Sequence, residues 1–525
     1  MTTRRKQLLL ALGLAAGAAL IAGFTLRRGI DHFDEGLVLQ AARRVADGQL
    51  PYRDFRWSYG PAQPYLLGGS FQLFGTSLLG WRILRVLVVA LTALAVFLLA
   101  RRLAGPGPAL LAWLVAACAL AQPANASPFP VALLLALLAA AAAALPGVTR
   151  GRALAAGALA GVAAAWRLDF GLYGAAAAGV ALLLAQAPVR RRLELAGLMA
   201  LAALAVGALA YLPFTVAVGP GDLYEEVVGK SLRQKGYWTL PFPLEYDGGL
   251  RGWPPGDLAR DLKDVLGFYL PLIVIAGLGV AAIAAALRLR AERRLPPGWA
   301  ALLALAAGSA AYLLSRTDEL HATPLVVTLA MALPAALSWG RALGSPGGRA
   351  VAFASALLLG LLLAYGASNR LSALFLPPPG SPIHVAAADG VRAPPREARA
   401  LERMVGVVQR RVPRGAPIYV APRRSDLVAF EDPMAYVLAE RDNPTDEDVG
   451  LRAGSRAQAR LMRELERSRP RMVVRWTDPL SSKREPNPRG RSSGVHTFDR
   501  YLARRYRLLE RLPGYDLLLR RSASS

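Results

Sequence analysis

The chain has 525 residues, of which 54% are hydrophobic, and one cysteine, Cys118. Its mean hydropathy is +0.34, and its apolar residues fall in long blocks, the mark of membrane spans and not of a soluble core. Lys and Arg number 62 against 36 Asp and Glu, a net charge of +26. The arginines of the first two-thirds cluster beside apolar blocks without interleaved aromatics, which excludes a nucleic-acid platform. A single cysteine excludes disulfides and a thiolate metal site. The four histidines, His32, His321, His384 and His496, show no H-E-x-x-H spacing. The abundance of Ala, Arg, Gly and Pro suggests a GC-rich bacterial genome.

The first apolar block, Leu8–Leu26, follows Arg4, Arg5 and Lys6. It resembles a signal peptide with small residues for cleavage, but its length suits a retained helix. Ten further blocks are predicted: Leu79–Ala100, Pro108–Ala121, Val131–Leu145, Ala153–Ala165, Leu172–Ala187, Ala196–Val218, Leu266–Leu287, Trp299–Ser315, Pro324–Ser338 and Val351–Gly366. Alternate connections carry the basic residues: Arg101/Arg102, Arg150/Arg152, Arg190/Arg191/Arg192, Arg288/Arg290/Arg293/Arg294 and Arg341/Arg349. The opposite short ones, "QPANASPFP", "WRLDFG" and "RTDELHATP", hold at most one arginine each. The positive-inside rule then places the N-terminus in the cytoplasm. An odd number of spans, about eleven, leaves the C-terminal part outside. The expected architecture is an α-helical polytopic membrane domain, residues 1–367, followed by a separate, water-soluble extracytoplasmic α/β domain, residues 368–525. Asn125-Ala126-Ser127 matches a glycosylation sequon but lies against the membrane and carries no weight.

Three long segments face outward on this topology: 27–78, 219–265 and the C-terminal domain. In the first, Leu37, Val38, Ala41, Ala42 and Val45 repeat at helical spacing, predicting a short amphipathic helix over Glu35–Ala46 that lies in the membrane interface. Asp34 then falls at its N-cap, and two readings stand. Asp34 caps the helix while Glu35 favours its positive end; or a carboxylate held beside the mouth of the first span is a general base for an acceptor hydroxyl. Adjacent residues point to different places, so Asp34 and Glu35 have different roles.

After the linker "LPPPGSP", charge rises and hydropathy drops. Helices are expected over Arg396–Val412, Ala457–Ser468 and Phe498–Tyr506, strands at "IYVAP" and "MVVRW", and a final hairpin turning at Pro513-Gly514. This domain shows no phosphate-binding loop and no nucleophile elbow. Its charged loop "SSKREPNPRGRSSG" reads either as a cover over a site or as a solvated surface loop.

The acidic pair in the first outer segment, the helix after it, and "YGP…YLLGGSFQLFGTSLLGWRILR" resemble the GT-C membrane glycosyltransferases. The similar groups are the protein mannosyltransferase, aminoarabinose transferase and rhizobial lipopolysaccharide transferase-like families. The resemblance covers about residues 8–366. It implies an inverting enzyme whose donor is a polyprenyl-phosphate-linked sugar and whose acceptor is a lipid, glycan or protein. It also implies that Asp34, with Glu35 beside it, is the base or acceptor-orienting group. Such a donor needs cations for its leaving phosphate. The candidates are Arg167 in "WRLDFG", Lys230 and Arg233 in "VGKSLRQKGYW", and Arg316 with His321 in "RTDELHATP". Each has a plainer reading as an ion-paired, boundary or solvated charge. No cofactor motif is present; the acidic loops are compatible with a divalent metal, although no ligand cluster stands out. A transporter or flippase of envelope lipids is the first rival, and a non-catalytic envelope assembly protein the second. A transporter would favour internal repeats and midplane charges, whereas the charges here sit at span ends.

Overall fold

The computed structural model describes residues 3–121, 129–242, 255–288, 297–342, 344–375, 380–448 and 450–521. The sequon at Asn125, the basic residues Arg290, Arg293 and Arg294, and most of the linker before Gly380 lie outside these ranges. Eleven apolar helices coincide with the eleven predicted blocks. They are α1 (Thr3–Gly23), α4 (Leu78–Ala104), α5 (Pro106–Leu120), α6 (Phe129–Ala144), α7 (Arg150–Trp166), α8 (Leu168–Leu183), α9 (Val189–Val218), α11 (Leu270–Arg288), α12 (Pro297–Ser315), α13 (Glu319–Ala342) and α14 (Pro346–Phe375). Six of the helices are long and apolar enough to cross a membrane, and the chain is a multi-pass membrane protein.

Lipid is as apolar as leucine, so packing between spans relies on close backbone approach. A Cβ added to Gly157 of α7 would lie 2.1 Å from the Met199 carbonyl of α9, and one on Gly161 2.7 Å from Val206. Small residues at this four-residue spacing let α7 and α9 touch. Helix α13 is the axis of the bundle, with 89% of its apolar window buried, whereas α9 is peripheral at 11%.

Between α1 and α4 run α2 (Asp34–Ala46) and α3 (Ala62–Phe74), and the short α10 (Pro220–Tyr224) follows α9. Helix α2 is enclosed by neighbouring segments. Its residues Val38, Leu39, Ala41 and Ala42 are buried, because glycines let neighbours close on both sides. A Cβ at Gly36 would meet the Met434 backbone nitrogen at 2.5 Å, and one at Gly68 of α3 would meet the Ala42 carbonyl at 2.9 Å. It is α3 that presents an exposed apolar face, Tyr65, Leu66, Leu73 and Phe74.

The C-terminal part folds as α15 (Pro395–Arg411), β1 (Ile418–Ala421), α16 (Met434–Ala439), α17 (Ser455–Ser468), β2 (Met472–Trp476), α18 (Thr497–Arg505), β3 (Tyr506–Leu512) and β4 (Tyr515–Arg520). The sheet order is β1-β2-β4-β3, with β1 and β2 parallel and the final hairpin antiparallel. Gly514 turns that hairpin at φ 81°, a conformation that favours glycine. One sheet face packs α17 and α18 through Leu461, Leu465, Phe498 and Leu502.

The other face packs against the first long connection. Met472, Val474 and Leu517 share one hydrophobic core with Leu401 and Val405 of α15, Met434 of α16, and Val38, Leu39, Trp57 and Leu67 of the first long connection. Charged clasps reinforce it. Arg43 donates to the Tyr436 carbonyl at 2.6 Å and to Asp442 at 2.6 Å. Arg44 pairs with Asp448 at 3.0 Å and Arg56 with Glu447 at 2.7 Å. His32 lies between Asp432 at 3.1 Å and Glu397 at 3.3 Å. Burial alone would lower the His32 pKa, but the two carboxylates override this and push it up to about 10, so the imidazole is the cation between two anions at neutral pH. The first long connection, the turn at 316–321 and the C-terminal domain thus gather at one end of the bundle.

Candidate active site

Helix α2 begins without the cap expected of Asp34. The Oδ1 of Asp31 accepts the backbone N–H groups of Phe33 and Asp34, at 3.1 and 3.0 Å. Asp31 therefore satisfies the free donors at the helix start, and burial, with the charges of Asp34 and Glu35, pushes its pKa up to about 7. The cap reading of Asp34 is corrected on this geometry. Glu35 turns into the bundle. It receives Arg82 in a bidentate pair, Nη2 to Oε2 at 2.6 Å and Nε to Oε1 at 2.8 Å, with both side chains buried. Arg82 also donates to the carbonyls of Leu26, Arg28 and Gly29, so this pair shapes the chain between α1 and α2. The proposed catalytic role of Glu35 meets a carboxylate whose two oxygens are already engaged.

Asp34 is different. It keeps open surface at the start of α2. Burial and the Asp318 carboxylate raise its pKa, and His321, Arg316 and Arg489 pull it back. Among the described residues, no hydrogen bond or ion pair engages its carboxylate.

Two helix junctions lie beside Asp34. At α7–α8 a single extended residue, Arg167, joins two helices. Its Nε bonds Asp169 at 2.8 Å, and its guanidinium lies over Tyr312 at 4.6 Å and Tyr59 at 5.3 Å. Tyr59 belongs to the "YGP" turn, which is seated on α7: Gly60 N–H bonds the Trp166 carbonyl, and a Cβ there would be 2.1 Å from the Ala165 carbonyl. At α12–α13, Asp318 accepts the His321 backbone N–H at 3.0 Å and starts α13. Its carboxylate also pairs with His321 Nδ1 at 2.6 Å and Arg316 Nε at 2.8 Å. Burial would raise the Asp318 pKa, but these partners hold it below the usual carboxylate range. The His321 ring stacks on Tyr312 at 4.5 Å, which links the two junctions.

The structure thus brings Asp34, Arg167, Arg316 and His321 together at one end of the bundle. Lys230 is not joined to them by any contact among the described residues. It pairs with Glu226 one turn earlier, and Arg233 pairs with Glu225. The charged loop 481–494 does cover the site: Glu485 binds Arg316 at 2.9 Å, and the Arg489 guanidinium lies 3.2 Å over the Phe430 ring. Phe430 in turn stacks on Phe33 at 3.8 Å. Asp318, Tyr312, Glu485 and Arg489 were missed as site residues by the sequence reading. Tyr312 carried a signal, standing one helical turn before Arg316 in an otherwise apolar block. One trio among the described residues has metal-ligand spacing, Asp426, His496 and Asp499. Its carboxylates already pair with Arg424 and Arg475, which a metal would have to displace.

Over residues 58–215 the sequence matches the family described as dolichyl-phosphate-mannose-protein mannosyltransferase. No curated protein matches it. Among solved structures, the chain is similar to ArnT from Cupriavidus metallidurans in the apo state, with a TM-score of 0.57 at 16% identity over 98% of each chain. It is similar to that protein bound to undecaprenyl phosphate, with a TM-score of 0.52 at 14% identity over 99% of this chain and 98% of the other. It is also similar to the arabinofuranosyltransferase AftD from Mycobacteria, with a TM-score of 0.52 at 14% identity over 100% of this chain and 40% of the other. At such identity the likeness is one of fold, and it defines the class: the chain has the GT-C fold of membrane glycosyltransferases.

Proposed function

We propose that this protein transfers a sugar from a polyprenyl-phosphate donor to an acceptor hydroxyl on a lipid, glycan or protein, with inversion at the anomeric carbon and Asp34 as general base. One observation carries the reading: Asp34 is an unengaged carboxylate close enough to Arg316 and Arg489 to feel their charge, and Tyr59, under the Arg167 guanidinium, feels Asp34 in turn. Asp34 takes the proton of the acceptor hydroxyl, and the acceptor oxygen attacks the anomeric carbon. The bond from that carbon to the phosphate oxygen breaks, and the polyprenyl phosphate leaves with added negative charge. A fixed guanidinium stabilises that charge most in the transition state. The similarity to an ArnT bound to undecaprenyl phosphate supports a lipid-linked donor. Glu35 acts through structure, with Arg82 orienting the start of α2.

The site faces the extracytoplasmic side of the inner or plasma membrane on this reading. The support is the positive-inside rule: Arg101, Arg102, Arg150, Arg152, Arg190, Arg191 and Arg192 lie on connections at the end of the bundle away from Asp34. A reporter fused after Ser368 should be active outside the cytoplasm and one at Arg191 inside; swapped activities overturn the orientation. The chemistry is tested by transfer from a synthetic short-chain polyprenyl-phosphate sugar in detergent. Absence of transfer with every donor sugar and acceptor class, by a folded protein, would count against it.

A further inference from the structure

The loop 481–494 places an anion where the site has its strongest donors. The Glu485 carboxylate is held by four of them. Its Oε1 accepts from Arg316 Nη2 at 2.9 Å and Arg489 Nη1 at 2.7 Å. Its Oε2 accepts from Arg316 Nη1 at 3.3 Å and Asn487 Nδ2 at 2.9 Å. The cradle is built and not adventitious. Asn487 also donates to the Thr239 carbonyl at 3.3 Å, and its Oδ1 accepts the Arg489 N–H at 2.9 Å. Arg489 is buried with its guanidinium against Phe430, which also stacks on Phe33, the residue before Asp34.

Two guanidiniums and an amide converging on one carboxylate are the groups that also bind a phosphate. The carboxylate leaves one donor over: Arg489 Nε is buried without a hydrogen-bond partner. An unmade hydrogen bond of this kind is costly, and a phosphate brings more oxygens than a carboxylate. Asp34 lies within electrostatic reach of both Arg316 and Arg489, so an anion seated here would have its reacting bond near the base.

We infer that this cradle is the seat of the donor phosphate, that Arg489 of the C-terminal domain is a phosphate ligand beside Arg316, and that Glu485 occupies the seat until the donor displaces it. This rests on the reading of the chain as a polyprenyl-phosphate sugar transferase. An internal occupant reduces apparent affinity by the fraction of molecules in which the seat is open. Removing its charge while keeping its shape therefore tightens binding. Removing Arg489 weakens it.

The test is binding of neryl phosphate, a ten-carbon polyprenyl monophosphate, to the purified full-length protein in detergent, with inorganic phosphate and nerol as controls. Glu485→Gln is expected to tighten neryl phosphate binding about tenfold, and Arg489→Ala to weaken it about tenfold, with Arg489→Lys between the parent and the alanine variant. Inorganic phosphate should show the same order of variants at lower affinity, and nerol should show no dependence on them. Thermal unfolding confirms that each variant is folded; if Arg489→Ala is not, Arg489→Lys and Glu485→Gln carry the test. If the parent binds and Glu485→Gln binds no tighter, Glu485 is a structural partner of Arg316 and the inference is overturned while the donor reading stands. If neither parent nor any variant binds, the donor reading itself is overturned.

Discussion

The helix bundle and the α/β domain bury opposite kinds of residue. The bundle core is Ala, Leu and a few aromatics, its closest contacts run through glycine, and its site charges stand at helix ends. The α/β domain buries Asp426, Glu431, Asp432, Arg441 and Arg452 among its apolar residues and sends a charged loop across the seam. The difference has a physical origin. Lipid offers nothing to satisfy a stray charge, so the bundle can hold only a few, rigidly. A water-facing domain can carry many and extend some of them. The site lies where the two meet, and α2 belongs to both, with Glu35 anchored in the bundle and Gly36 pressed on the C-terminal domain.

Substitutions at five positions probe this contrast. The largest effect is expected from Arg82→Met, which leaves Glu35 buried without its partner at the bundle side of α2. A loss of about 3–5 kcal/mol in stability is expected, measured by thermal or denaturant unfolding in detergent. Arg316→Ala should lower turnover about a hundredfold, about 2.7 kcal/mol of transition-state stabilisation, with Arg316→Lys partly active and folding unchanged. Arg167→Ala should act in the same direction, and normal turnover in both variants would make these arginines structural. Gly36→Ala forces a Cβ onto the Met434 backbone and should cost about 1–3 kcal/mol by loosening the C-terminal domain from α2, seen as faster proteolysis of the intact chain. The smallest effect is a displaced pH profile. Burial and Asp318 raise the Asp34 pKa, and a base acts only when ionised. Turnover should therefore rise with pH through a midpoint above the ordinary carboxylate value. Asp318→Asn removes an opposing negative charge and should move that limb to lower pH.

The bundle was legible because each span is an apolar block and each site charge in it interrupts or ends one. Arg167, Arg316 and His321 stand at such ends, and the resemblance makes them candidates. The α/β elements were also legible, from amphipathic spacing and from Pro513-Gly514. What could not be read was the seam. Asp31 and Asp34 stand three residues apart, and either suits a helix start. The choice falls to Asp31 where His32 and Phe33 are tied to Asp432 and Phe430, contacts about 400 residues away in sequence for His32 and Asp432. Likewise Glu485 and Arg489 sit in a loop that reads as solvated charge until Arg316 is brought against it. Lys230 stood out in its segment for the same local reasons as Arg316. Glu226, four residues before it, is a helical ion pair that the spacing already permitted.

On the proposed function, two adjacent carboxylates divide the work, Asp34 serving chemistry and Glu35 serving structure. The most direct measurement sets Asp34→Asn beside Glu35→Gln, reading unfolding temperature and transfer from a short-chain polyprenyl-phosphate sugar on the same preparations. Asn fills the space of Asp but cannot accept the proton. Asp34→Asn should therefore unfold like the parent and lose transfer by about 10²–10⁴-fold, while Glu35→Gln should unfold at a lower temperature. An Asp34→Asn protein that transfers sugar at the parental rate would contradict the account.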